Sequence, residues 1–342
     1  MELTNRTPLS AYVAVTDADQ QKERLGLLVA KATFTFAEGQ AELETQHPLP
    51  VQLEDGAHAH GVLPCEVVPR HTNAFELGAI AAAYSEEEAP VARRDVAITI
   101  GAERRELVVF GDRRWEPDAT GALSPGAPEP FTRMPIAWDR ALGGSASVEI
   151  DEESFLELRH PLNPAGRGAR LDHLVDAVAR DLGVQPPRPT WTRDLRMPNV
   201  ESKASPLERY GDEPLPVCWA PVPSSSPLLN GRTFEILQRR DTSADVYVGE
   251  SLLRTHRDFV LAAPPRGAVC LEGLAPGPPL RFPLRLPDVW IDFDGHAGVT
   301  TLRAMAHAML LLVDERRYAV TYRLVFRLAS RAGCARLRLS EG

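Results

Sequence analysis

The stretch LRAMAHAMLLLVDERRYAVTYRLVFRLA, residues 302–329, divides into two halves of different character. In the second half Tyr318, Val320, Tyr322, Leu324, Phe326 and Leu328 alternate with Ala319, Thr321, Arg323, Val325 and Arg327. A period of two in aromatic and branched residues predicts a half-buried strand. The first half, 302–317, is rich in Ala, Met and Leu, which favour helix by propensity alone. It stands directly before the strand, across a DERR turn, so it is read as the other arm of a hairpin.

The same alternation recurs upstream. LGLLVAKATFTFAEG sets Leu28, Ala30, Ala32, Phe34 and Phe36 against Lys31, Thr33 and Thr35, and a turn at Glu38-Gly39 leads into QAELE. DVAITIGAERRELVVFG predicts a second hairpin, and AYVAVTD, PDVWIDFDG and DVYVG predict further strands. One segment departs from this rule. In ARLDHLVDAVARDLG, residues Leu171, Leu174, Val175, Val178 and Leu182 form a stripe at helical spacing that ends at Gly183. Thirty prolines gather in 124–135, 185–198, 214–227 and 263–283, where fixed φ and a missing N–H favour packed loops and sheet edges. The expected fold is mainly β: antiparallel sheets in a sandwich or barrel, long proline-rich loops, and one substantial helix near 169–182. Residues 1–342 are expected to form one β-rich domain. It divides into an N-terminal sheet (1–125), proline-rich loops with the helix (126–230) and a C-terminal sheet (231–342).

Composition narrows the function. The 342 residues are 44% hydrophobic and 25% charged, which places the chain among globular proteins. A net charge of −9 argues against nucleic acid, whose phosphates need an excess of Lys and Arg. No apolar run approaches the ~18 residues of a membrane span. The N-terminus has no basic and apolar leader, so a cytoplasmic protein with reduced thiols is expected. Cys65, Cys218, Cys270 and Cys334 form no C-x-x-C pair.

Motifs for nucleophilic, zinc-dependent or nucleotide-dependent catalysis are absent. Several weaker constellations each admit a simpler role. Gly166-Arg167-Gly168 before the helical stripe could hold an anion, but a helix entry that needs glycine dihedrals is the plainer account. Asp292, Asp294 and His296 could face a cation, whereas Asp294-Gly295 also fits a hairpin turn. His58 and His60 lack a second pair of ligands and read as a solvated loop. His307, among apolar neighbours, reads as a satisfied core histidine. Cys65 and Cys218 lie beside prolines with no recognisable histidine partner nearby in sequence, and no cofactor or metal is expected.

Four stretches carry a more specific signal: VVFGDRRWEP (108–117), EPFTRMPIAWDRALGG (129–144), NPAGRG (163–168) and RMPNVE (196–201). In this order they resemble the bacterial family known as domain of unknown function 2169, with Met197 where the family usually has Leu. DEPLPVCWAPVP (212–223) is similar to a later family segment whose glycines are replaced here. The resemblance implies a non-catalytic adaptor or chaperone of type VI secretion, which binds a toxic effector and helps load it onto the VgrG/PAAR spike. It assigns partner binding to Phe131, Arg133, Trp138, Arg140, Asn163, Gly166 and Arg167. Trp and Arg dominate interface energetics, although Trp138 could instead be buried and Arg133 and Arg140 paired with Asp139 or Asp112. Two alternatives stand beside it. One is a hydrolase or carbohydrate- or peptide-modifying enzyme with its site in the proline-rich loops; the other is a structural component of the secretion apparatus.

Overall fold

The computed structural model describes residues 3–17, 24–67, 74–149, 155–171, 183, 195–222, 260–295, 298–328 and 335–340. Among these the protein is mainly β. Within 302–328 the expected hairpin forms: strands Gly298–Leu312 and Arg317–Leu328 pair antiparallel, closing at Leu312↔Arg317. Helix propensity in the first arm is overridden because both of its edges are occupied by other strands. Arg317–Leu328 lies along one edge, while Asp288–Gly295 and then Phe75–Tyr84 lie along the other. The change of neighbour falls at a bulge between Ala306 and Ala308. His307 sits there, buried, its Nδ1 2.7 Å from the Met305 carbonyl oxygen, so the core-histidine expectation holds.

The main sheet runs in the order Leu3–Asn5, Ala335–Ser340, Asp288–Gly295, Gly298–Leu312, Arg317–Leu328, Arg24–Ala37, Ser10–Asp17. A five-stranded sheet, Val200–Ser202, Glu103–Phe110, Arg93–Ile100, Ala268–Glu272 and Leu280–Pro283, shares its apolar cluster, giving a sandwich-like core. Phe36 stacks on Phe282 at 4.2 Å and Phe34 on Tyr318 at 4.7 Å between ring centroids. Burial of each such side chain stabilises by about 1.5–3 kcal/mol.

Over 318–323 the strand is buried on both sides rather than half-buried as its alternation suggested. Thr321 and Arg323, on its polar side, are as buried as Tyr318 and Tyr322, and so are Lys31 and Thr33 on the neighbouring strand. Segment 44–66 lies across this polar face and takes up most of its hydrogen bonds, Arg323 Nη1 being left without one. Leu49 N donates to Thr33 Oγ1 (2.9 Å), Lys31 Nζ to the Pro50 carbonyl (2.9 Å), and Thr321 Oγ1 to Glu66 Oε1 (2.5 Å). Lys31 also pairs with Glu66 at 2.7 Å, and Arg323 Nε donates to the Glu66 carbonyl at 3.0 Å. Burial pushes the Arg323 pKa down to about 10. Over 318–323 the strand is therefore covered on both sides, once by hydrocarbon and once by a largely hydrogen-bonded polar layer.

Two further expectations are corrected. No α-helix occurs among the described residues, which contain only the 3-10 turns Glu86–Glu88 and Trp138–Arg140. Where the helix near 169–182 should begin, Ala169–Leu171 are not helical. Ala169 N donates to the Gly143 carbonyl at 3.0 Å, extending a strand pairing, and Leu171 is buried. The rest of that stretch, 172–182, lies outside the described residues, as does DVYVG. The turn expected at Asp294-Gly295 is displaced: both residues belong to Asp288–Gly295, and Gly295 pairs with Gly298.

Candidate functional site

The four signature stretches, spread over ninety residues, meet in one place. Arg113 and Glu201 form a buried ion pair, and the Arg113 guanidinium lies 3.7 Å from the centre of the Phe110 ring. Glu201 also accepts from Leu207 N at 3.1 Å. Burial pushes the Glu201 carboxyl up, and the charge of Arg113 holds part of that back. Asn199 ties the first two stretches together. Its amide nitrogen donates to Asp112 Oδ1 (3.0 Å) and the Phe110 carbonyl (3.2 Å), and its backbone N to the Arg140 carbonyl (2.8 Å). Asn163 does the same for the third stretch: its buried Nδ2 donates to the carbonyls of Trp138 (2.8 Å) and Leu142 (3.0 Å). Gly143, at φ +150°, brings its backbone so close to Asn163 that a Cβ would stand 2.0 Å from the Asn163 carbonyl oxygen.

These contacts sort the residues assigned to partner binding. Phe131 is a core residue, bridged to Val91 by a pair of 2.9 Å backbone hydrogen bonds. Trp138 is buried, with Nε1 donating to the Ala220 carbonyl at 2.9 Å. Asn163 and Gly166 serve the loop's own backbone; Gly166 N donates to the Asn163 carbonyl at 3.2 Å. The three arginines reach solvent. Arg140 is 3.6 Å from Asp112 and donates to Asn199 Oδ1 at 3.2 Å. Arg167 Nε donates to the Asp139 carbonyl at 2.8 Å. Burial lowers the Arg167 pKa, and the like charges of Arg140 and Arg196 lower it further.

Arg133 belongs to a second network on strand Arg133–Ile136, and its partner is neither Asp112 nor Asp139. It donates to Asp314 Oδ2 (2.7 Å), the Tyr84 hydroxyl (3.0 Å) and His60 Nε2 (2.8 Å). Tyr84 donates to the other Asp314 oxygen at 2.9 Å. Burial alone would lower the Arg133 pKa, but the hydrogen bonds to Asp314 and Tyr84 outweigh it and raise it. Burial, and then the Arg133 charge, lower the pKa of His60. His58 Nε2 lies 3.0 Å from Glu315, so His58 fastens the hairpin to the 313–316 turn directly and His60 does so through Arg133. That contact, made over some 250 residues, has no sequence signal. Between the two networks an open cleft of about 860 Å³ is lined by His60, Pro135, Trp138, Asp139, Arg140 and Pro221, among others.

Chemistry-bearing candidates elsewhere are accounted for by simpler contacts. Asp292 accepts from Thr301 Oγ1 at 2.6 Å, while the Asp294 side chain and His296 lie outside the described residues. Leu142–Gly143 pairs in parallel with Arg167–Gly168, so the glycine-rich loop is taken up by backbone pairing. Cys218 is fully buried, which pushes its thiol up to about 12 and keeps it protonated. Cys65 donates to the Leu53 carbonyl. Among the described residues no group of three or more His, Cys, Asp or Glu side chains could hold a metal ion, and no helix is long and apolar enough to cross a membrane.

Fold and site together define a β-rich protein whose signature residues mostly build a loop scaffold, with part-buried Arg140 lining a cleft. The chain belongs to the bacterial family described as "Uncharacterized protein conserved in bacteria", domain of unknown function 2169, whose model matches residues 21–232. Comparison with curated proteins and with solved structures gave no match.

Proposed function

We propose that the chain is a non-catalytic adaptor that binds a toxic effector and helps load it onto the VgrG/PAAR spike of a type VI secretion system in the cytoplasm. The motif series carries this expectation. The observation that supports it best is the division of labour within those motifs. Their buried members, Arg113, Trp138, Asn163 and Glu201, fix four distant segments; Arg140 lines an open cleft, and Arg133 and Arg167 are bonded to two of its other lining residues, His60 and Asp139. Rigid placement of arginines costs little ordering entropy on binding, which suits a docking surface.

The test is co-expression with an effector encoded in the same gene cluster. The adaptor role predicts a higher soluble level of the effector and co-elution of the two proteins in gel filtration. Recovery of each protein alone, with no complex, would refute it. Stoichiometric presence in purified spike particles would instead identify a structural component.

A further inference from the structure

A small cavity lies between the polar face of the main sheet and the segment that covers it. Its floor is a row of successive register partners on four strands: Lys31, Thr321, Ala308 and Glu76. The short side chains of Thr321 and Ala308 in mid-row leave the space open. It takes a few water-sized groups, too little for a metabolite. Arg323, two residues along the strand from Thr321, also lines it. The residue is 3% exposed and its Nε is committed to the Glu66 carbonyl, yet Nη1 has no hydrogen-bond partner. A buried donor in this state is a standing cost that an acceptor inside the cavity removes.

Cys65, the residue before Glu66, is part-exposed and lines the same cavity. Its thiol donates to the Leu53 carbonyl at 3.1 Å and its backbone N to Asp55 Oδ1 at 2.9 Å. It therefore stands at the base of the Gly56–Leu63 hairpin, which carries His60 to the cleft. Met309, the other sulfur-bearing residue of the lining, is 1% exposed and belongs to the apolar core. We infer that Cys65 is a site of reversible oxidation to a sulfenate, whose oxygen accepts a hydrogen bond from Arg323 Nη1. The inference is independent of the adaptor reading. The oxidant is a peroxide. The Cys65 thiolate attacks one peroxide oxygen, the S–O bond forms as the O–O bond breaks, and hydroxide leaves and takes up the thiol proton as water. Sulfur loses two electrons, which the peroxide gains, and the sulfenic acid gives its proton to solvent. On reversal the sulfenate takes up a proton, and two equivalents of a small thiol restore the Cys65 thiol, giving a disulfide and water. One added oxygen is the size of group the cavity admits, and a guanidinium is a strong donor to an oxyanion. Loss of the thiol proton releases the Leu53 carbonyl, so oxidation exchanges a bond within the hairpin's base for one to the sheet.

The experiment treats the full chain with dilute hydrogen peroxide and then dimedone, and locates the adducts by peptide mass spectrometry. Cys65 should carry the adduct, while Cys218, whose thiol burial keeps protonated, stays unlabelled. Arg323→Met should lower the Cys65 adduct about tenfold, the weight of one charged hydrogen bond. Alkylation of Cys65 by iodoacetamide, which needs access but no oxygen acceptor, should be unchanged in that variant. If Arg323→Met does not fold, the melting temperature decides. Peroxide should raise it by about 2 °C or more in the parent chain relative to Cys65→Ser treated alike. Absence of the adduct, equal labelling in Arg323→Met, an equal loss of alkylation and adduct, or a melting temperature lowered by oxidation of Cys65 would overturn the inference. The first of these outcomes would leave the cavity as a water site.

Discussion

Glu66 is the point at which the covering segment is most exposed to a single change. Its carboxylate, 8% exposed, accepts from Lys31 Nζ (2.7 Å), Gln52 N (2.9 Å) and Thr321 Oγ1 (2.5 Å). Glu66→Gln keeps the shape but turns an amide donor or a neutral oxygen toward the Lys31 ammonium, itself 5% exposed. Removing one member of a buried ion pair costs about 3–5 kcal/mol. The glutamine oxygen still accepts one of the neutral hydrogen bonds, which offsets about 1 kcal/mol. The expected net loss is about 2–4 kcal/mol. With a urea m-value of about 3 kcal/mol/M, the unfolding midpoint falls by about 1 M. Adding Lys31→Met removes the stranded charge, so the double variant should recover part of that loss. A midpoint within about 0.2 M of the parent protein, or a double variant no better than Glu66→Gln alone, would refute the view that this polar layer holds segment 44–66 in place.

The remaining predictions concern the signature loops and the histidine hairpin. Gly143→Ala should destabilise by about 2–3 kcal/mol or more, through positive φ and a clash with the Asn163 carbonyl. Gly39→Ala, also at positive φ but with nothing within 4 Å of the added Cβ, should cost only about 1 kcal/mol. Comparable losses in thermal melts would show that the close approach to Asn163 does not matter. The folded-state pKa of His60 is depressed below its ordinary value, so the unfolded chain takes up its proton first as pH falls. The contribution of His60 to stability is therefore fully present above about pH 6.5 and is lost as pH falls through the folded pKa. A histidine NMR titration should place His60 below 6.5 and return it toward that value in Arg133→Gln; an unchanged midpoint in the variant would contradict the assigned contact.

Strands with one apolar side were legible from the sequence because alternation records the side that meets the core. What covers the other side was not legible. Lys31, Thr33, Thr321 and Arg323 look like a solvated face, and only residues 44–66, far away in the chain, show that it is enclosed. Strand Phe75–Tyr84 (FELGAIAAAY) was missed for a related reason. It is buried on both sides, so its small apolar residues carry no period. The helical stripe at 169–182 misled at its start because spacing alone does not register the hydrogen bond from Ala169 to Gly143. At the site, the motifs converge in space, but the roles within them depend on pairings such as Arg113 with Glu201 and Arg133 with His60, which have no local signature.

The handover at His307 has a consequence for the order of assembly. Phe75–Tyr84 finds its parallel partner only at Ala308–Leu312, and Arg24–Ala37 finds its longest neighbour only at Arg317–Leu328. At about 5–20 residues per second, the ribosome needs on the order of 15–60 seconds between completing Ala37 and delivering the strand that covers it. Throughout that interval the early strands present open hydrogen-bonding edges, which leaves the nascent chain prone to unwanted edge pairing until the 298–328 hairpin emerges.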